Sequence, residues 1–180
     1  MRNILALFFI SILTINSQAQ KKSIKKVEFK IDSTSVLTLD STIKSLYTVI
    51  SGKKGEPRNW KQFKYLFKPD AKLIPVGKNK QGKYKTRYMT PNDYIKSSGK
   101  WLVANGFSEK EIHRKSDTYG NITQVFSTYE AFINESYDVP FLRGINSIQL
   151  FNDGARWWII NMYWTHERKN NPIPKKYLSQ

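Results

Sequence analysis

The stretch Arg143–His166, RGINSIQLFNDGARWWIINMYWTH, decides the fold class. Two strand-like runs flank Asn152-Asp153-Gly154. Asp-Gly between alternating runs predicts a hairpin with a two-residue type I′ turn, because both residues tolerate the positive φ it needs. The second run is crowded with Trp157, Trp158, Tyr163 and Trp164. So many large rings on one hairpin require a broad sheet surface with a cover, either helices or a ligand. Period-two alternation sorts Trp157, Ile159, Asn161, Tyr163 and Thr165 onto one face, and Trp158, Ile160, Met162 and Trp164 onto the other.

Upstream, Glu109–Thr118 alternates weakly and Asn121–Ile133 strongly, with a tight turn at Tyr119-Gly120-Asn121 between them. The C-terminal half therefore predicts a four-stranded antiparallel meander. The N-terminal half is helical. Ile43, Leu46, Tyr47 and Ile50 make one apolar stripe on a helix that starts near Val36, and Gly52 can close it in the left-handed conformation. Trp60, Phe63 and Phe67 line a second, short helix that Pro69 ends. Ala71–Val76 reads as a strand, with Pro75 placing it at an edge or a strand end, and Lys85–Met89 as another short one. Thr90-Pro91-Asn92-Asp93 starts a third helix that runs to about Asn105 and stops at Gly106, with Tyr94, Trp101 and Leu102 inward. Helices first and a long sheet afterwards define an α+β domain with its helices on one face of the sheet.

The chain opens with a basic residue, Arg2, then the apolar run Ile4–Ile15, then Ser17 and Ala19. That pattern predicts a secretory signal peptide over residues 1–19, cleaved near Ala19, and a periplasmic or secreted product. The run is shorter than the roughly 20 apolar residues that span a bilayer, so no membrane span is expected. With no cysteine in the chain, disulfides, thiol nucleophiles and cysteine-held metals are excluded, and stability must come from packing. Residues 20–35 read as a polar, Lys-rich tail, 36–167 as one domain, and 168–180 as a C-terminal tail. The net charge of +16 is scattered over both tails and the run Lys72–Arg87, which contains no acid. A nucleic-acid footprint needs such cations on one face with aromatics to stack on, so no nucleic-acid partner is expected.

Several phrases resemble the nuclear-transport-factor-two-like superfamily, which includes ketosteroid isomerases and polyketide cyclases. They are Ile50-Ser51-Gly52, Arg58-Asn59-Trp60 with Phe63, and Leu66–Val76. Later come Gly120-Asn121-Ile122 with Val125–Glu130, Arg143–Leu150, and Asp153-Gly154 with Arg156-Trp157-Trp158-Ile159. The resemblance implies a cone: a strongly bent, mostly antiparallel sheet with three N-terminal helices packed on its concave face and a blind apolar pocket between them. It also implies frequent dimerisation through the outer sheet face. Matching the closing Gly-x-x-Trp-x-Ile strand places the Trp157 set inside.

The pocket implied in this way holds Tyr47, Trp60, Phe63, Tyr129, Trp157, Asn161 and Tyr163. Trp158, Ile160, Met162 and Trp164 form an outer apolar face for a homodimer partner. Acid–base candidates are few. His113 shares alternation with Glu111 and Asp117, so His113 and Asp117 are the catalytic candidates, while His166 at a strand end beside Glu167 is expected to be solvated. No buried carboxylate stands out, since alternation turns Glu130 away from Tyr129. No metal spacing, phosphate loop or cofactor motif is present. Three functional readings are open: a secreted domain binding a small apolar molecule without strong catalysis; an enzyme of isomerase, cyclase or hydrolase type using pocket tyrosines and His113; or a module that contacts an anionic surface through its basic face.

Overall fold

The computed structural model describes residues 28–133 and 139–178, so the expected leader and the first half of the N-terminal tail lie outside the described residues. After a 3-10 turn at Ser33–Val36 come helices α1 (Leu39–Ile50), α2 (Trp60–Tyr65) and α3 (Pro91–Asn105). The strands are β1 (Phe67–Lys78), β2 (Tyr84–Thr86), β3 (Ser108–Tyr119), β4 (Ile122–Phe132), β5 (Leu142–Asn152) and β6 (Trp157–His166). They form one six-stranded sheet in the order β2-β1-β6-β5-β4-β3, a mixed α+β architecture. The C-terminal meander is antiparallel as expected, and β1 adds to it in parallel with β6.

The helices follow local chemistry. Thr38 and Ser41 form a capping box at the start of α1, and Thr90 and Asp93 form another at α3, where Pro91 fits the first turn. Ile43, Leu46 and Phe63 are all but fully buried against Leu73, Val125, Ile148 and Ile159 of the sheet. Phe67 belongs to β1 rather than to α2, and Pro69 falls where the pairing with β6 is irregular, the position at which a sheet tolerates proline. Gly106 ends α3 at φ 60°, as its position predicts. Gly52 does not close α1, which ends at Ile50 with Ser51 as its cap. It makes room for a neighbour instead, since a Cβ at Gly52 would stand 2.6 Å from Arg58 Nη1.

That arginine joins the helical layer. The guanidinium of Arg58, only 4% exposed, donates to the carbonyls of Ile50 (3.0 Å), Gly52 (2.6 Å), Leu102 (3.3 Å) and Phe107 (3.2 Å). Carbonyls at helix ends attract a cation, and this one gives the Ile50 and Gly52 carbonyls after α1 their donors while adding a further bond to Leu102 and Phe107, which also accept from backbone N–H groups.

Beyond the irregular start of β1, the sheet departs from strict alternation at two further places. Pairing of β3 with β4 shifts between Glu111 and His113, where Ile112 is an extra residue. Pairing of β6 with β5 shifts between Ile159 and Asn161, where Ile160 is extra. Each bulge reverses which face the residues beyond it present. The connection from β5 to β6 is also longer than the expected two residues, spanning 153–156. Asp153 Oδ1 accepts from the backbone N–H groups of Ala155 and Arg156 and Oδ2 from Trp158 Nε1, so its side chain builds the loop. Those bonds, Trp158 first, pull its pKa down to about 2.

The segment read as a C-terminal tail lies on the outer sheet face. Ile173 is buried, the Tyr177 ring sits 4.9 Å from that of Phe126, and Thr128 Oγ1 donates to the Tyr177 carbonyl. Among the described residues no helix is long and apolar enough to cross a membrane.

Arg58→Met keeps the stem and removes every donor, taking the Arg58 bonds from the Ile50 and Gly52 carbonyls while Leu102 and Phe107 keep their backbone partners. The expected loss is about 2–4 kcal/mol in urea unfolding; a loss below about 1 kcal/mol would show that α1 and α3 do not depend on this cation.

Candidate functional site

Between the helices and the concave sheet face lies a cavity of about 260 Å³. Ile50, Leu102, Phe107 and Met162 give it apolar walls, and Tyr94, Trp101, Phe141 and Trp164 add aromatic ones. Trp101 and Phe141 are 47% and 43% exposed, so the cavity reaches the surface at their end. Its polar groups are Glu109, Asn146, Tyr129, His166 and Ser98.

The sheet register explains how these meet. Tyr129 on β4, Gly144 on β5 and His166 on β6 stand in one row. A Cβ at Gly144 would lie 2.5 Å from the Tyr129 hydroxyl, so only glycine lets this ring lie across β5. Its hydroxyl then reaches His166 Nδ1 at 3.0 Å. Burial first, and Arg168 second, lower the His166 pKa, which favours the neutral imidazole.

Glu109 enters from β3 opposite Ala131. Asn146 Nδ2 donates to Glu109 Oε1 at 3.2 Å and to the Tyr47 hydroxyl at 3.1 Å. Tyr47 in turn lies 2.6 Å from Ser127 Oγ, which donates to Glu111. Arg114 closes this chain on Glu111 and Asp40. Loss of water pushes the Glu109 pKa up to about 8, only partly opposed by the Asn146 hydrogen bond. Burial likewise raises the phenols of Tyr47, Tyr94 and Tyr129, and the neighbouring Glu109 carboxylate would raise them further. At neutral pH the cluster is therefore a protonated acid, neutral phenols and a neutral imidazole in an apolar cavity. Such a group can donate a hydrogen bond to a ligand oxygen, and a carboxyl poised near neutral pH can also exchange a proton. Glu109 also borders a cleft of about 770 Å³ outside α1 and β3.

No family model and no curated protein matches the chain. Solved structures do. A protein of unknown function with a cystatin-like fold from Nostoc punctiforme PCC 73102 has TM-score 0.56 at 10% identity, over 78% of this chain and 97% of that one. A nuclear-transport-factor-two-like protein from Pseudomonas putida KT2440 has TM-score 0.56 at 6% identity, over 81% and 96%. A candidate ketosteroid isomerase from Parabacteroides distasonis ATCC 8503 has TM-score 0.50 at 10% identity, over 78% and 96%. The chain has the nuclear-transport-factor-two-like fold.

In this nuclear-transport-factor-two-like cone the expected site residues scatter. Tyr129 lines the cavity, and Tyr47 reaches its polar wall through Asn146. Phe63 and Trp157 pack in or against the core, and Trp60 lies on the far side of α3, its ring 3.2 Å from where a Gly99 Cβ would be. Asn161 and Tyr163 are corrections. The bulge at Ile160 turns them outward, where Asn161 bonds Gln149 at 2.6 Å and Tyr163 pairs with Ser147. The same bulge brings Met162 and Trp164 inside, so they line the cavity, and only Trp158 and Ile160 of the expected dimer face point outward. His113 and Asp117 are outside the cavity, opposite Thr128 and Gln124 of β4.

Two functional groups escaped sequence reasoning. His166 lines the cavity instead of facing solvent, for the reason that turns Trp164 inward. Glu109 is the half-buried cavity carboxyl that strand alternation hid. Counting back from the Gly120 turn by strict alternation sets Glu109 outward; the extra Ile112 turns it inward.

The Glu109 pKa gives a pH dependence. As pH rises, the unfolded chain releases this proton near the ordinary value of 4.5, while the folded chain holds it to about 8. This group's contribution to stability is thus fully present below 4.5, lost through that window and level above it. Glu109→Gln is expected to remove the slope and to be more stable than the parent at pH 8 by roughly a few kcal/mol, read from urea midpoints at pH 5 and 8. An unchanged slope would place the carboxyl in water.

Proposed function

We propose that this chain is a small-molecule-binding domain that takes its ligand into the interior cavity and holds the ligand's polar group at the Glu109, Asn146, Tyr129 and His166 cluster. The observation that carries this reading is the company these groups keep. Three hydrogen-bonding side chains and an imidazole, supplied by four strands, converge on an otherwise apolar and aromatic space, the usual composition of a ligand site. Nuclear-transport-factor-two-like and ketosteroid-isomerase-like neighbours support a ligand-binding or isomerase-type domain. Secretion after cleavage near Ala19 fits the sequence pattern and belongs to the same proposal.

Native mass spectrometry of the purified chain tests binding. A small co-purifying mass is expected, and Ser98→Phe, which fills the cavity from α3, should remove it while leaving the far-ultraviolet circular dichroism unchanged. A mass that survives Ser98→Phe would place the ligand elsewhere.

A second reading, proton transfer of the isomerase type, is favoured by one observation: the Glu109 pKa near neutrality, which lets the carboxyl both give and take a proton. Incubation with a small ketone in deuterated water should then exchange its α-protons, followed by proton magnetic resonance. Glu109→Gln should bind the ketone and lose exchange by about 100-fold or more, the scale of a general acid–base contribution. Exchange no faster than buffer with the parent protein would remove this reading and leave the binding domain.

A further inference from the structure

The chemistry of the cavity wall restricts what can occupy it. Among the described residues lining the cavity there is no lysine or arginine. The two titratable groups that would carry charge there are held neutral by the same desolvation, Glu109 as the acid and His166 as the imidazole. Tyr94 from α3, Tyr129 from β4 and Tyr47 behind Asn146 face the carboxyl from the other elements, and all three are neutral phenols. A ligand carboxylate, phosphate or ammonium would lose its water here and meet no opposite charge, which is strongly unfavourable. Among the polar tips the Asn146 carbonyl accepts, the hydroxyls of Ser98 and Tyr129 and the His166 imidazole can do either, and the neutral Glu109 carboxyl brings an acidic proton. Both Asn146 N–H groups are spent on Glu109 and Tyr47. Glu109 accepts through Oε1 from Asn146, which leaves the proton of the neutral carboxyl to be given to a ligand.

Size narrows the class further. An apolar cavity of about 150 Å³ takes one benzene ring, so one of 260 Å³ takes roughly ten non-hydrogen atoms. A four-ring skeleton of about twenty such atoms exceeds this.

Resting on the binding function proposed above, we infer that the ligand is an uncharged molecule of one ring's bulk, roughly ten non-hydrogen atoms, whose single carbonyl or ether oxygen accepts a hydrogen bond from Glu109. The class is that of small cyclic ketones, lactones and their relatives.

The test uses quenching of the cavity tryptophans, Trp101 and Trp164, by a matched set of probes at pH 6.5. The set comprises 4-tert-butylcyclohexanone, the hydrocarbon tert-butylcyclohexane, the anion 4-tert-butylcyclohexanecarboxylate and androst-4-ene-3,17-dione. The ketone should bind about 10-fold more tightly than the hydrocarbon and about 100-fold more tightly than the carboxylate, and the steroid should not bind. Glu109→Gln, whose amide still donates, should keep the preference for ketone over hydrocarbon; Glu109→Leu should erase it. Equal or tighter binding of the carboxylate or the steroid, abolished by Ser98→Phe, overturns the ligand class and leaves the binding function standing. A preference for ketone that survives Glu109→Leu overturns the role of Glu109. If no probe binds and no co-purifying mass is found, the binding function fails together with the inference.

Discussion

Two extra residues in the sheet set up everything that could be chemical in this protein. Without Ile112, strict pairing along β3 would point Glu109 and Glu111 away from the helices; without Ile160, β6 would keep Met162, Trp164 and His166 outside. With them, the acid and the imidazole both enter the concave face, from strands at opposite sides of β4 and β5. A bulge costs local ladder regularity and re-aims every side chain beyond it, which is why bulges gather beside functional sites. The cluster is thus a consequence of backbone register, with the side chains following.

Once turned inward, these groups need a frame that tolerates them. Gly144 provides a bare stretch of β5 across which Tyr129 reaches His166, and any Cβ there would collide with that ring. Asn146 divides its two N–H groups between Glu109 and Tyr47, linking the cavity carboxyl to α1 and, through Ser127, to Glu111 and Arg114. On the other side of the helices Arg58 ties the ends of α1 and α3 together, which holds the cover on the cone. A buried polar network of this kind is costly when incomplete and rigid when satisfied, so the same bonds that stabilise the wall also fix its donors in place.

Electrostatics in the cavity run against those of the surface. The chain as a whole carries +16, yet the cavity holds no cation among its described residues and keeps its acid and its imidazole uncharged. The surface charge therefore says little about the ligand. The outer sheet face likewise does not read as expected: part of it is covered by the chain's own residues 171–177, with Ile173 and Tyr177 seated on β4 and β6.

The fold class was legible in the chain itself. Apolar period 3.6 in α1, the capping box of α3, the stop at Gly106 and the turn at Gly120 are local signals, each readable from a few adjacent residues and each present in the structure. Tyr129 faces the cavity and Tyr47 stands behind Asn146, on the inward faces that helical and strand periodicity give them up to the first irregularity. The phase of β3 and β6 was not legible. A bulge leaves no fixed residue signature, since Ile112 and Ile160 are ordinary strand residues, and one inserted residue exchanges the two faces of everything after it. Asn161 and Tyr163 were lost from the site, and Glu109, Met162, Trp164 and His166 were gained, for that single reason. The hydrogen-bonded register of neighbouring strands and the packing of the helices select where each extra residue goes, and that selection, made only in three dimensions, decides which side chains meet in the cavity.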